Sequence, residues 1–342
     1  QSCARDALGN YPSSAWNFSI RRGDELGNMS VKYLEANGIR IAYDEFGQPS
    51  DPVILLIMGM ATQMTAWPLS LCHGLAQRGF RVIRYDNRDV GLSEKMTSAV
   101  VPSAARMMLT AALGRPLRVS YKLDDMAHDA CGVIDALGLE QVHLAGVSMG
   151  GMIAQLVAAK FPDRVRSLAS IMSSSGDRKL PRASRKVTRA LLKRYVGLVK
   201  PSIETTMDFQ RLIGSPGFPQ GDEELRDKVT AAYERSFYPP GYSRHMAAIM
   251  ASGSRVTLLK TIRTPSLVVH GRDDLLVPLA CGIDTARHIP DARLEIIDGM
   301  GHNLPEALMP TLEELLANHA SAAGGAPATT TSEGEGPAAA NG

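Results

Sequence analysis

Val142-His-Leu-Ala-Gly-Val-Ser-Met-Gly-Gly151 opens as a short apolar run and ends in a glycine-flanked serine. Val142 to Ala145 reads as a buried strand, and the apolar segment Met152 to Phe161, stopped by Pro162, reads as a helix. Strand, tight turn with serine at the tip, then helix is the pattern of a nucleophile elbow. A turn this sharp strains the backbone of Ser148 and crowds its neighbours, so Gly146 and Gly150 stand where side chains would clash. The turn lifts the Ser148 hydroxyl clear of the sheet. It also aims the Met149 amide, with the positive end of the following helix, at any negative charge developing there.

Outward from this stretch the chain alternates strand and helix. Val31–Ala36 and Arg40–Phe46 are strand-like, with Asn37-Gly38 as a hairpin turn between them. Val53–Met58 is a continuous apolar run, as expected of a strand buried on both faces. A helix is predicted over Pro68–Gln77 and a strand over Arg81–Tyr85, followed by the turn-rich Asp86-Asn-Arg-Asp-Val-Gly-Leu-Ser93. Asp124–Leu137 reads as a helix closed by Gly138, and Val165–Met172 as a strand. Beyond residue 177 the texture changes: helical segments near 203–214, 222–236 and 243–252 follow the basic run Arg178–Arg194, with no strand until Ser266. The basic run reads as a solvated helix face, with contact to an anionic surface as the alternative. Strands return at Ser266–His270 and Leu294–Ile297, with helices over Leu279–His288 and from the last loop to about Asn318. The fold expected is therefore α/β, a mostly parallel, doubly wound sheet with an inserted helical cap. Its expected parts are an irregular extension over 1–28, a core over 29–176 and 255–320, a cap over 177–254 and a disordered tail over 321–342.

Composition narrows the function classes. The 342 residues carry 37 Lys and Arg against 35 Asp and Glu, so net charge gives no global argument for nucleic acid or an anionic membrane as partner. No apolar run approaches the length of a membrane span. Cys3, Cys72, Cys131 and Cys281 are scattered without a CxxC pair and read as small buried hydrophobes. No phosphate loop, metal-ligand cluster or nucleic-acid motif is present, so no cofactor is expected. No signal peptide is visible, which places the expected location in the cytoplasm, although the chain starts at Gln1.

A nucleophilic serine needs a base within hydrogen-bond reach and an acid to orient that base. Of eight histidines, His270 and His302 follow strand-like runs in turn-rich contexts, and His302 lies in the flexible stretch Gly299-Met-Gly-His-Asn303. His270 reads as a strand-end hydrogen-bonding residue, and the helical His128, His245 and His288 as surface or cap residues. In a parallel sheet the loops at the carboxyl ends converge on one edge. Ser148, Asp273 or Asp274, and His302 would meet there.

The order serine, acid, histidine is that of the α/β-hydrolases, and the chain resembles that family from about Val31 to Asn318. Gly146-Val-Ser-Met-Gly-Gly151 is similar to the elbow of many bacterial esterases. Gly271-x-x-Asp274-x-x-x-Pro278 resembles the family's acid motif, and its register selects Asp274. Gly301-His302 resembles its histidine loop. Leu55-Leu-Ile-Met-Gly-Met60 with Trp67-Pro68, and Tyr85-Asp-Asn-Arg-Asp-Val-Gly-Leu-Ser93, resemble the aclacinomycin-methylesterase-like group. Met58-Gly59 stands where many relatives have His-Gly. The resemblance implies Met60 and Met149 amides as oxyanion donors, with Gly59 keeping the backbone close and Met64 lining a substrate pocket. It implies a carboxylesterase acting on a small-molecule ester. Residues 100–122 and the insertion over 177–254 are long enough to roof the site, and their apolar residues, among them Met107, Met108, Leu109, Phe209, Leu212, Ile213, Phe218, Phe237, Met246 and Met250, are expected to line a pocket that takes short to medium acyl chains. Lactone, amide, carbon–carbon or perhydrolase chemistry would need the same three residues, and a non-catalytic ligand-binding relative is the alternative of a different class. Oligomeric state is not legible in the sequence.

Overall fold

The computed structural model describes residues 31–324, apart from positions 102, 104, 105, 108, 111, 112, 114 and 116. The extension assigned to residues 1–28, and the tail beyond residue 324, lie outside the described residues. Eight strands form one sheet in the order β1-β2-β4-β3-β5-β6-β7-β8. They are β1 (Lys32–Ala36), β2 (Ile39–Phe46), β3 (Val53–Ile57), β4 (Arg81–Tyr85), β5 (Val142–Val147), β6 (Val165–Ile171), β7 (Ser266–Gly271) and β8 (Arg293–Ile297). At one edge β1 pairs antiparallel with β2 and β2 antiparallel with β4, so β2 alone runs against the sheet, and β3 to β8 run parallel. The β1–β2 turn uses Asn37 at φ 51° and Gly38 at φ 74°, the paired positive φ values that make a two-residue hairpin follow the twist of its strands.

The central strands are largely buried because both their faces are covered: β3 is apolar throughout, and the polar Arg84, His143 and Ser167 of other strands are paired inside. Within β3, Val53, Leu55 and Ile57 enter one core cluster and Ile54 and Leu56 the other, the two-residue period of a pleated strand. α2 (Leu123–Ala136) and α3 (Met149–Lys160) cover the first face. α1 (Leu69–Gln77) and α10 (Met309–Ala322) cover the second. Cys72, Cys131 and Cys281 are free and buried, and burial pushes the Cys72 thiol up to about 12; Cys3 lies outside the described residues.

Between β6 and β7 stand α4 (Arg185–Tyr195), α5 (Ile203–Ile213), α6 (Asp222–Arg235) and α7 (Pro239–Ser252), followed by the short α8 (Val256–Leu259). α9 (Leu279–His288) joins β7 to β8. Three boundaries differ from the sequence reading by more than two residues. α3 begins at Met149, directly after Ser148, because the elbow turns from strand to helix with no connecting loop. α7 begins at Pro239, where proline's missing amide costs a helix nothing. α10 runs to Ala322, so residues 321 and 322 are helical instead of belonging to the tail. No described helix is long and apolar enough to cross a membrane.

Candidate active site

Because β3 to β8 are parallel, the segments following them emerge at one edge. Gly59 follows β3, Asp86 follows β4, Ser148 follows β5, Asp274 follows β7 and His302 follows β8. Ser148 has φ 56° and ψ −116°, a strained conformation for a residue with a side chain, costing on the order of 1–3 kcal/mol. Neighbouring backbones hold it there. A Cβ on Gly146 would fall 2.2 Å from the Gly150 carbonyl oxygen, and one on Gly150 would fall 2.0 Å from the Ile57 carbonyl oxygen. Only glycine permits strand, turn and helix to close this tightly.

The serine hydroxyl lies 3.0 Å from His302 Nε2, and His302 Nδ1 lies 2.7 Å from Asp274 Oδ2. Asp274 Oδ1 accepts the amides of Leu276 at 2.9 Å and Val277 at 2.8 Å, so the carboxylate is fixed before it meets the imidazole. Asp273 points elsewhere: its Oδ2 accepts the Gly299 amide at 2.9 Å and ties down the start of the histidine loop. Adjacent residues on one turn thus serve different partners. His270 donates from Nε2 to the Val277 carbonyl at 2.8 Å, which makes it a support for the acid turn, and burial lowers its pKa.

The loop around His302 is held from two sides. The His302 amide donates to the Ile213 carbonyl at 2.7 Å, and Gly217 donates to the Gly299 carbonyl at 2.9 Å. Ser215 Oγ accepts the Gly301 amide at 2.9 Å and donates to Asn303 Oδ1 at 2.5 Å. The end of α5 is therefore a clamp on the histidine.

Opposite His302, Gly59 brings its backbone against the serine: a Cβ there would lie 3.3 Å from Ser148 Cβ. The Met149 amide is the first of α3, and amides at a helix start have no intrahelical acceptor. Met60 lies in the loop after β3, whose next residue, Ala61, has φ 53°. The Met149 side chain is fully buried in the core cluster of the first face, and Met64 is fully buried with its amide on Asp86 Oδ1 at 2.8 Å.

The residues that hold this loop were not legible as site residues. His245, read as a surface or cap residue, lies on α7 within the stretch read as the cap, and it is fully buried, so it is not a surface residue. Its Nδ1 accepts the Ala61 amide at 3.1 Å and its Nε2 donates to the Arg88 carbonyl at 2.8 Å. Burial pushes its pKa down to about 4, so it is neutral at pH 7. Asn87 Nδ2 donates to the Met58 carbonyl at 3.0 Å. Asp89 receives Arg244 at 2.8 and 2.7 Å and the Tyr121 hydroxyl at 2.7 Å. Burial opposes the charge on Asp89, but the hydrogen bonds from Arg244 and Tyr121 prevail and hold its pKa below the usual value. Arg235 joins Gln63 Oε1 at 2.7 Å to Asp86 Oδ2 at 2.8 Å. The available signal was Asp86-Asn-Arg-Asp89 itself: four polar residues straight after a buried strand must either reach water or be paired inside.

Among the described residues no group of three or more His, Cys, Asp or Glu is placed to hold a metal ion. The apolar residues of segments 100–122 and 177–254, expected from the sequence to roof the site, differ in their burial. Met107 and Ile213 are buried, Phe209 and Leu212 line a groove between α4 and α5, Phe237 and Leu109 are exposed, and Met108 lies outside the described residues.

The family model for the alpha/beta hydrolase fold matches residues 52–306. The chain belongs to the α/β-hydrolase family. It is 28% identical to rhodomycin D methylesterase DauP of Streptomyces sp. (strain C5), over 86% of this chain and 99% of that one. It is 26% identical to 3-oxoadipate enol-lactonase 2 of Acinetobacter baylyi, over 78% and 87% respectively. Among solved structures, a meta-cleavage product hydrolase from Pseudomonas fluorescens superposes with a TM-score of 0.67 at 21% identity, covering 86% of this chain and 98% of that one. That last likeness is one of fold. The relatives span ester, lactone and, by name, cleavage-product hydrolysis on one scaffold.

Proposed function

We propose that this α/β-hydrolase is a cofactor-free serine carboxylesterase acting on esters of short to medium acyl chain. The observation that carries the reading is the continuous hydrogen-bonded line from Ser148 Oγ through His302 to Asp274. Ser148 Oγ attacks the ester carbonyl as His302 Nε2 takes its proton. The tetrahedral oxyanion is held by the amides of Met60 and Met149. His302 then returns the proton to the departing alcohol, leaving an acyl-enzyme. A water molecule, deprotonated by His302, cleaves the acyl-enzyme by the same sequence. Asp274 keeps the proton of neutral His302 on Nδ1 and stabilises the imidazolium. The methylesterase relatives support an ester as substrate, and the helices between β6 and β7 act as the cap that limits acyl length.

A fluorophosphonate probe and a series of p-nitrophenyl esters of increasing chain length, with a lactone and an anilide alongside, test this reading. Ser148 is expected to be labelled, short and medium esters to turn over fastest, and Ser148→Ala to lose labelling and roughly 10⁶-fold in kcat. Labelling of the alanine variant at the wild-type level would remove Ser148 as nucleophile. Preference for the lactone over every ester would move the activity toward that of the enol-lactonase relative.

A further inference from the structure

Nine residues between Arg178 and Lys200 are Lys or Arg and none is Asp or Glu, in a chain whose net charge is only +2. Eight of the nine are exposed, and Arg194 is half-buried. Among the described residues none of them forms an ion pair; Asp208, the nearest carboxylate along the groove, is held by Arg211. A helix that merely faced water would pair such cations with acids and expose few large apolar side chains. Instead, Leu192 is 47%, Val196 43% and Leu198 75% exposed. On a helix of 3.6 residues per turn, Leu192 and Val196 fall on the same arc as Arg185 and Arg189. Beside this arc an open groove of about 480 Å³ runs between α4 and α5, with an apolar floor that includes Ala190, Val199, Phe209 and Leu212 and a rim of Arg185, Lys186, Arg189 and Lys193. Arg194 closes one wall, stacked over Phe209 at 4.8 Å and bonded to the Thr205 carbonyl.

We propose that α4, the turn after it and the facing side of α5 dock this protein onto an anionic phospholipid membrane. Cations interleaved with exposed leucine and valine meet the two layers of such a surface at once: phosphates bind Arg and Lys, while Leu192, Val196 and Leu198 enter the upper acyl region. The groove repeats that pairing, a cationic rim above an apolar floor. A second copy of this chain fits poorly, because two equal faces would bring like charges together. Nucleic acid would satisfy the cations and leave the three apolar side chains in water. The surface adjoins the site along α5 without sharing its residues: Leu212 lines the groove, and the carbonyl of the next residue, Ile213, holds the His302 amide. Apolar esters dissolve in bilayers, so a docked enzyme meets them at high local concentration.

Co-sedimentation of the full chain with unilamellar vesicles tests the proposal, using phosphatidylcholine alone and phosphatidylcholine mixed with phosphatidylglycerol. Binding is expected only to the anionic vesicles, and to weaken with added salt. Arg185→Glu/Arg189→Glu/Lys193→Glu and, separately, Leu192→Ser/Leu198→Ser are each expected to weaken it roughly tenfold or more. Both variants are expected to hydrolyse a water-soluble ester at the wild-type rate, which shows that they fold. Equal binding to both vesicle types, or no binding at low salt, would overturn the proposal. So would a serine variant that binds as the wild type does, or equal affinity for duplex DNA, since either would make the patch a general polyanion site.

Discussion

At the residue scale the division of labour between Asp273 and Asp274 is the sharpest feature of the site. Asp274 is 4% exposed and gives one oxygen to two amides and the other to His302. Asp274→Asn would present an amide that pairs with the wrong tautomer of His302, and kcat is expected to fall by about 10⁴. Asp273→Asn removes a charge from a carboxylate whose side-chain hydrogen bond, among the described residues, is to the Gly299 amide, so a loss of roughly tenfold or less is expected. Steady-state kinetics of the two variants on one ester checks this, and the reverse order of losses would make Asp273 the orienting acid. The sequence offered both aspartates; only the motif register chose between them, because two neighbours on a turn are indistinguishable until the turn is built.

At the element scale the strands were legible because each core strand is mainly apolar and bounded by turn residues, β3 without a break, and the serine, acid and histidine because each follows such a strand at a turn. What held those turns in place was not legible. His245 and Arg244 lie on α7, more than one hundred and fifty residues from their partners Arg88 and Asp89. No local spacing encodes a pairing of that length. α7 nonetheless sets the geometry of the loop that carries Met60, through the single bond from Ala61 to His245. His245→Leu fills the space but leaves the Ala61 amide and the Arg88 carbonyl without a side-chain partner. With Met60 as the proposed oxyanion donor, whose loss would cost about 10²–10³ in kcat, displacement of its loop is expected to cost roughly 10- to 100-fold, with KM little changed. His245→Gln, which can accept and donate, is expected to recover most of the rate. A rise in KM at constant kcat would assign His245 to substrate binding and not to the loop.

At the scale of the whole molecule, buried neutral histidines tie stability to pH. Burial pushes both His143 and His245 down to about 4 from a usual value of 6.5, and lowers His270 and His319 as well. His143 keeps one bond, to Ser167 Oγ at 2.8 Å, and His245 two, all inside the protein. The folded pKa lies below the unfolded one, so stability is fully present above about pH 6.5 and is lost as pH falls toward 4, where the unfolded chain takes up protons that the folded chain refuses. Between pH 7 and pH 5 the two histidines with the largest shifts together account for about 3–4 kcal/mol of lost stability. The window separates them from the surface carboxylates, which titrate lower, and from Lys95, whose partly buried ammonium is lowered to about 8 and acts on the alkaline side. Urea unfolding followed by tryptophan fluorescence is expected to show a midpoint nearly constant from pH 8 to 7 and falling steeply between pH 6.5 and 5. His143→Phe, which removes one of the two titrating groups without touching the loop at Met60, is expected to make that fall shallower by roughly half. A midpoint that stays level down to pH 5 would mean that water reaches these imidazoles, and that the enclosure of α7 against the loops after β3 and β4 is looser than its hydrogen bonds imply.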